Sequence, residues 1–255
     1  MAFFRNFAAL CLLAALGMPI GPGGLARGDD FRVDNAVYVG NQKESSSQST
    51  TIFSGGAVYD CLKTPAETVV FEKTTGQFVL LNLGRRVQAE LSTGQVAAII
   101  EQLRPAAAKS KEPLVRFLAE PKFQEQSTPS GELILGSPLI SYRLRLAREA
   151  DEKVVERYHE FCDGYARLNA LLGSPPPFGR LVVNAAMAQR HAIASQVVLT
   201  VHAGTGSEAP TTIRTEHRLV RPLEATDLEQ VTQTRQYMGS FKRISFDQYR
   251  KAAAR

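Results

Sequence analysis

The sequence predicts an α+β protein: a curved antiparallel β-sheet, arranged as a half-barrel-like meander and capped by several α-helices. Three observations lead to this prediction. Short apolar segments follow one another between residues 31 and 91, separated by brief polar or glycine-containing turns. Phe78–Leu81 is apolar at every position, so it lacks the alternation of apolar and polar residues found in a strand with one solvent-exposed face. Long amphipathic helical patterns follow residue 91 and can cover the sheet.

The N-terminal part of the chain is predicted to form the meander. Gly55-Gly56 is a two-residue hairpin signal, and turns this short join antiparallel neighbours because a parallel crossover needs a long connection. Lys43–Ser49 is polar and is expected to be an exposed loop or a ragged strand edge. The predicted strands are Phe31–Val39, Thr50–Phe53, Val58–Leu62, Thr68–Lys73, Phe78–Leu83 and Arg86–Leu91.

The last two of these strands differ in their patterns. Val87, Ala89 and Leu91 alternate with polar residues, so only one face of their strand is expected to be buried. Phe78–Leu81 shows no such alternation, which predicts a central strand with a layer packed on each face.

Helices that can form these layers come next. Ser92 and Gln95 fit a capping box, and the stripe that follows consists of Val96, Ile99, Ile100 and Leu103. Pro105 is expected to end or kink this helix, and Pro113 suits the first turn of a short one. The longest predicted helix is Asp151–Leu172, with an apolar stripe formed by Val154, Tyr158, Phe161, Tyr165, Leu168 and Leu172.

The rest of the chain alternates between strands and helices. Pro175–Pro177 is an extended link, Gly204–Ser207 a hairpin loop and the C-terminal end a polar tail. No domain boundary is evident, so residues 29–255 are predicted to form a single domain. The remaining predicted strands are Lys122–Gln126, Leu133–Leu135, Leu139–Leu146, Gln196–His202 and Thr211–Val220, and the remaining helices are Phe178–Arg190 and Ala225–Met238.

Residues 1–28 have the layout of a secretory signal peptide, with a basic start, a short apolar stretch and a helix-breaking segment. Ala26 and Gly28 favour cleavage before Asp29, with cleavage after Ala26 as the alternative. The apolar stretch is shorter than the roughly 20 residues that span a bilayer. The mature chain is therefore expected to be exported to the periplasm or cell envelope and to be peripheral to the membrane at most.

The charge of the mature chain does not indicate nucleic-acid binding. Loss of Arg5 and Arg27 leaves 28 basic residues from the original 30, against 25 acidic ones, a net charge near +3. Arginines are spread among acids instead of forming a stripe of one sign, which is the arrangement that phosphate binding favours. We therefore expect no nucleic-acid partner.

The motifs that carry chemistry are incomplete. His159 and Cys162 lie three residues apart on a predicted helix, which is half of a metal site at most, and Asp163 stands where a zinc-protease helix needs its second histidine. His202 and His217 lie on strands that can pair. No phosphate-binding loop and no nucleophile turn is present. The sequence therefore predicts no catalytic residue, no metal site and no cofactor, and a protein that is not an enzyme. The alternative is an enzyme of unfamiliar type that uses His159, or His202 and His217.

Two cysteines remain after signal cleavage. Cys61 and Cys162 can form a disulfide in an oxidising compartment, and a bridge across so long a loop would stabilise the fold by about 3–5 kcal/mol. The alternative is that both are unpaired and pack as small apolar side chains.

The segment Ser54–Leu91 resembles the core of the periplasmic lipoprotein carriers of the LolA and LolB type and their secreted relatives. The resemblance lies in Val58-Tyr59-Asp60, Val70-Phe71-Glu72, Phe78-Val79-Leu80-Leu81-Asn82 and Arg85-Arg86-Val87. It implies a curved antiparallel sheet with an apolar concave side, capped here by the helices that begin near Ser92 and Asp151. It also implies a lipid or lipoprotein partner.

The functional expectation follows from this resemblance and from the apolar strand. We expect a non-enzymatic protein that binds an acyl chain, lipid or lipidated partner in an apolar cavity between sheet and helices. The alternative is a structural or protein-interaction component of the cell envelope with a filled core and no ligand. The residues expected to line the cavity are Tyr59, Phe71, Phe78, Leu80, Val87 and Leu91.

Overall fold

The structure, a computed structural model, describes residues 29–149, 151–202 and 209–253. The predicted signal peptide, residues 1–28, and the Gly204–Ser207 loop lie outside these ranges. Among the helices in the described ranges, none is long and apolar enough to cross a bilayer.

The strands of the described residues form one twelve-stranded sheet, which confirms the predicted fold class. Its order is β12-β6-β5-β4-β3-β2-β1-β11-β10-β9-β8-β7, and all neighbours are antiparallel except the short pair β12 and β6. The pairing of β1 with β11 joins two meanders into this sheet. The strands are β1 (Phe31–Val39), β2 (Ser47–Ser54), β3 (Ala57–Leu62), β4 (Glu67–Glu72), β5 (Gln77–Asn82), β6 (Val87–Ser92), β7 (Gln124–Ser127), β8 (Leu133–Gly136), β9 (Ile140–Arg148), β10 (Ala192–Val201), β11 (Thr211–Val220) and β12 (Lys242–Arg243).

Six helices in the described residues complete the fold. Helices α1 and α2 connect β6 to β7, α3 and α4 connect β9 to β10, and α5 and α6 follow β11. They are α1 (Thr93–Ala108), α2 (Pro113–Ala119), α3 (Glu152–Leu171), α4 (Phe178–Ala188), α5 (Ala225–Ser240) and α6 (Phe246–Ala253).

Alternation along the strands divides the core between two faces of the sheet. The inner face, which includes Phe53, Phe71 and Phe78, packs against α1, α3 and α4. The outer face, which includes Ile52 and Tyr59, packs against α5 and the segment around Phe241. A second inner cluster joins β8–β10 to α2 and α4. The predicted layers on both faces of Phe78–Leu81 are therefore present.

The sequence-based assignments hold best in the first meander. Strand β1 has the predicted bounds, and Gly55 and Gly56 have φ values of 62° and 85°, as a tight hairpin of this type requires. The capping box is also confirmed, because the Gln95 backbone N–H donates to Ser92 Oγ at 3.1 Å and the Ser92 N–H donates to Gln95 Oε1 at 2.8 Å.

Four local predictions are wrong. Strand β2 begins at Ser47, within the predicted loop, because this segment pairs with β1. Strand β6 is partly covered on its second face, where Gln88 is buried and its amide donates to the carbonyl oxygens of Met238 and Phe241, while Glu90 on the same face is exposed. Helix α1 continues through Pro105 and leaves Leu103 exposed. The predicted polar tail contains β12 and α6, whose residues pack on β6.

Candidate ligand cavity

A half-open cavity of about 370 Å³ lies between the inner face of the sheet and helix α3. Its floor consists of residues from β1, β2, β11 and the end of β3, and its other wall of residues from α3 and Arg180 of α4. We call it the β1–α3 cavity. Its volume falls in the range of about 300–1,000 Å³ that is usual for small-molecule sites.

The strand register explains why the cavity has an apolar end and a polar end. Val33 pairs with Thr51, and two residues further along β1 Asn35 pairs with both Ser49 and His217. The inner face therefore changes from apolar to polar over one pleat. The apolar end is formed by Val33, Phe53, Tyr158 and Phe161, and the polar end includes Asn35, Ser49, His217 and Arg180.

A hydrogen-bond network at the polar end fixes the tautomer of His217. The Asn35 amide nitrogen donates to Ser49 Oγ at 3.2 Å and to Thr51 Oγ1 at 2.9 Å, so the Asn35 Oδ1 is left as an acceptor. His217 Nδ1 lies 2.7 Å from this oxygen and must therefore carry the hydrogen.

The other ring nitrogen of His217 has no partner. Nε2 is shielded from solvent and makes no hydrogen bond to any described residue. Burial, with the charge of Arg180 as a second cause, lowers the pKa of His217 to about 4. The imidazole is therefore neutral at neutral pH, and a buried unsatisfied acceptor of this kind costs about 1–3 kcal/mol.

Asp60 is the buried carboxyl group of the cavity. Its Oδ1 accepts a hydrogen bond from Thr51 Oγ1 at 2.6 Å, and its Oδ2 accepts one from the Tyr165 hydroxyl at 2.7 Å. Burial raises the pKa of this carboxyl, because desolvation disfavours the charged form. The bond to Tyr165 connects the sheet to α3 across the cavity.

The six residues predicted to line a cavity lie elsewhere. Phe71 and Phe78 line a separate open cleft of about 600 Å³ between α1 and α3. Leu80 and Leu91 are buried in the inner core, and Val87 packs at its edge. Tyr59 belongs to the outer face, where its hydroxyl oxygen accepts a hydrogen bond from Arg235 Nε at 2.8 Å. None of the six is among the residues that line the β1–α3 cavity.

Sequence reasoning missed the polar residues of this cavity. The usable signal was Asn35, a polar residue at an inner-face position of β1 between Val33 and Val37. The sequence pattern places His217 on a strand without indicating a cavity, and no pattern distinguishes Arg180 from other helix residues. Their approach depends on the pairing of β1 with β11, which no local pattern predicts.

The other singled-out histidines lie apart from the cavity. His159 is buried with Nε2 2.9 Å from the carbonyl oxygen of Ala192, so this histidine is used in joining α3 to β10. His202 follows the end of β10, whereas His217 lies in the middle of β11, so the two do not face each other. Within the described residues, no group of three or more His, Cys, Asp or Glu residues is placed to hold a metal ion.

Both remaining cysteines are free, and the sheet lies between them. Cys61 packs on the outer face, and Cys162 lies on α3 and lines the β1–α3 cavity. The disulfide that the sequence allowed is therefore not formed, because the two side chains extend to opposite faces. Burial raises the pKa of Cys61 to about 12 and that of Cys162 to about 11.

Comparison with known proteins adds little. No protein-family model matches the chain, and no curated protein matches its sequence. Among solved structures, the chain is similar to the crystal structure of a LolA superfamily protein from Nitrosomonas europaea, with 6% identity and a TM-score of 0.29; the match covers 77% of this chain and 87% of that one. Such a TM-score carries no argument, so the function is argued from the geometry of the chain itself.

Proposed function

We propose that this protein is an exported, non-enzymatic binding protein that holds an acyl chain, lipid or lipidated partner in the β1–α3 cavity. The observation that carries the proposal is an unfilled space of about 370 Å³ with an apolar end, which lies between the inner face of the sheet and helix α3. An acyl chain that enters the apolar end buries its surface, at about 25 cal/mol per Å².

Aromatic side chains pack closely around the apolar end of the cavity. Phe53 lies between Phe31 and Phe161, with ring centroids 4.2 Å and 5.8 Å away. Such packing holds the wall in place before a ligand arrives, and a preformed site costs less ordering on binding.

A binding function agrees with the state of the cavity thiol. Cys162 is the cysteine on the wall, and burial raises its pKa to about 11. A thiol of this pKa is protonated at neutral pH, whereas an activated nucleophile is a thiolate. The protonated Cys162 thiol therefore suits the wall of a ligand cavity, whereas covalent catalysis would need a thiolate.

The test begins with native mass spectrometry of the mature protein purified from an envelope fraction, with solvent extraction of anything bound. Incubation with fatty acids and phospholipids follows. A ligand bound one to one supports the proposal. A mass that stays at the apo value throughout contradicts it.

A matched pair of variants locates the ligand. Ala166 lines the cavity from α3, so Ala166→Phe fills the space, whereas Ala98→Phe places the same ring at an exposed position of α1. We expect Ala166→Phe to lose the ligand and Ala98→Phe to retain it. Equal retention by both folded variants places the ligand outside this cavity.

The second candidate is a protein-interaction component of the envelope, favoured by one specific feature. An open groove of about 640 Å³ on the outer face is lined by charged side chains of both signs, including Asp34, Lys63, Arg145, Glu216 and Arg218. Such a surface suits a polar protein partner. A clean apo mass together with a partner that is lost on Arg145→Glu would favour this function over the first.

A further inference from the structure

We propose that the ligand of the β1–α3 cavity carries an anionic head group, a carboxylate or a phosphate, and that the Arg180 guanidinium binds it. This inference rests on the proposed function, because it takes the cavity to be a ligand site. It adds the chemical class of the ligand and the residue that selects it.

The first observation is that Arg180 lacks a counterion. It lines the cavity and is partly buried, yet it forms no ion pair and no hydrogen bond with any described residue. Its charge affects the pKa values of groups that are not anions at neutral pH: Tyr142, Tyr158, His159, Cys162 and His217. A partly buried cation without a partner favours an anion brought from outside.

The second observation concerns the place of Arg180 in its helix. Helix α4 begins at Phe178, so Arg180 lies in the first turn, where the helix dipole is positive and acidic residues are preferred. The helix has no acidic residue in this turn and no side-chain cap. An arginine here opposes the dipole, and an anion bound beside it would be stabilised by both charges.

The third observation is the unsatisfied ring nitrogen of His217. Nε2 is buried without a partner, while Nδ1 is held by Asn35. Burial and, second, the charge of Arg180 disfavour the imidazolium form, and an anion near Arg180 offsets the second of these causes. His217 can then take up a proton and donate from Nε2 to the same head group, which satisfies this nitrogen.

Asp60 is the acidic group of the cavity and does not cancel Arg180. Both of its oxygens accept hydrogen bonds from hydroxyl groups, those of Thr51 and Tyr165, and it forms no ion pair with Arg180. The head group is therefore expected at the Arg180 and His217 end, with the apolar chain directed toward Val33 and Phe53.

The experiment compares three ligands that share one chain: dodecanoate, dodecyl phosphate and dodecanol. Each displaces a fluorescent acyl probe from the mature protein. The variants are Arg180→Gln, which removes the charge, Arg180→Lys, which keeps it, and Arg85→Gln, which removes an exposed arginine from the turn between β5 and β6. Circular dichroism and a thermal unfolding curve verify that each variant folds.

We expect the parent protein to prefer at least one of the two anions over dodecanol by about tenfold or more. The ratio of the two anions then distinguishes a carboxylate from a phosphate ligand. Arg180→Gln should abolish the preference. Arg180→Lys should keep part of it, and Arg85→Gln should keep all of it.

Two failures are distinguishable. If dodecanol binds as tightly as both anions, or if Arg180→Gln keeps the preference, the anionic class is wrong while the acyl-binding function stands. If none of the three ligands displaces the probe and the protein gains no mass with lipids, the proposed function itself fails.

Discussion

The inner face of the sheet has two regions that lie beneath the same helix and differ in packing. In the packed half, formed by β4–β6, six inner residues are apolar and buried: Val69, Phe71, Phe78, Leu80, Ala89 and Leu91. In the cavity half, formed by β1, β2, β11 and the end of β3, polar residues interrupt the apolar ones, and a space of about 370 Å³ remains.

The two halves differ because polar side chains interrupt only one of them. Apolar side chains on both faces of β5 meet helices on both sides. On the inner face the Phe78 ring stacks on Phe71 with centroids 4.9 Å apart, at the edge of the open cleft between α1 and α3. Asn35, Asp60 and His217 need hydrogen-bond partners, so the side chains around them cannot close into an apolar contact. The polar interruption therefore indicates the site better than the continuous apolar run.

The largest expected effect contrasts two leucines. Leu80 is 1% exposed in the packed half, whereas Leu62 lines the cavity and is half-buried. Leu80→Ala should lower the free energy of unfolding by about 2–5 kcal/mol, and Leu62→Ala by about 1 kcal/mol, because the second site already borders an empty space. Urea denaturation measures both. Equal losses would show that the two halves are packed alike.

The second prediction concerns pH and the cavity half. His217 has a pKa of about 4 in the fold against an ordinary value of 6.5, so between these values the unfolded chain binds more protons than the folded one. Stability therefore falls as the pH falls from 6.5 to 4. The parent should lose about 1–3 kcal/mol relative to His217→Asn over this range.

Urea denaturation at pH 7 and at pH 4 gives this difference. The groups that face His217 are Asn35 of β1, Arg180 of α4 and, within the same cavity, Asp60 and the α3 residues Tyr158, Cys162 and Tyr165. All of these groups are the same in the parent protein and in His217→Asn. His191→Asn, at an exposed position with φ of 48° that asparagine tolerates, is the control. If parent and His217→Asn lose stability in parallel, His217 is not the titrating group.

The third prediction adds a methyl group to the packed half. A Cβ at Gly164 of α3 would lie 2.8 Å from Phe78 Cζ, and Phe78 is fully buried. Gly239 of α5 has open space around it. Gly164→Ala should therefore be less stable than Gly239→Ala by about 1–3 kcal/mol in thermal or urea unfolding, because overpacking offsets the better helix propensity of alanine. A more stable Gly164→Ala would mean that the helix can shift away from the sheet.

The smallest effect is on thiol labelling rates. Burial raises the pKa of both cysteines, so both should react slowly with iodoacetamide at neutral pH in the folded protein. Cys162 borders the half-open cavity, whereas Cys61 lies in the outer core. Peptide mapping by mass spectrometry should therefore find Cys162 modified first, and a bound acyl chain should slow it. Faster labelling of Cys61 would reverse the assignment of open and packed regions.

The local elements of the fold could be predicted from the sequence. Glycine turns and apolar segments located β1 and the strands of the first meander, and Ser92 with Gln95 located the start of α1, because each of these signals acts between residues close in the chain. The absence of alternation in Phe78–Leu81 also predicted that β5 is covered on both faces.

The position of the cavity depends on contacts between segments that are far apart in the chain. Pairing of β1 with β11 brings His217 to Asn35 across 182 residues of chain, and the packing of α4 adds Arg180 to the same wall. Side-chain periodicity states which face a residue occupies but not which distant strand lies beside it. The order of strands therefore placed the β1–α3 cavity next to Asn35 and His217. The apolar residues that the sequence favoured lie in or against the core, and Phe71 and Phe78 also line the separate cleft between α1 and α3.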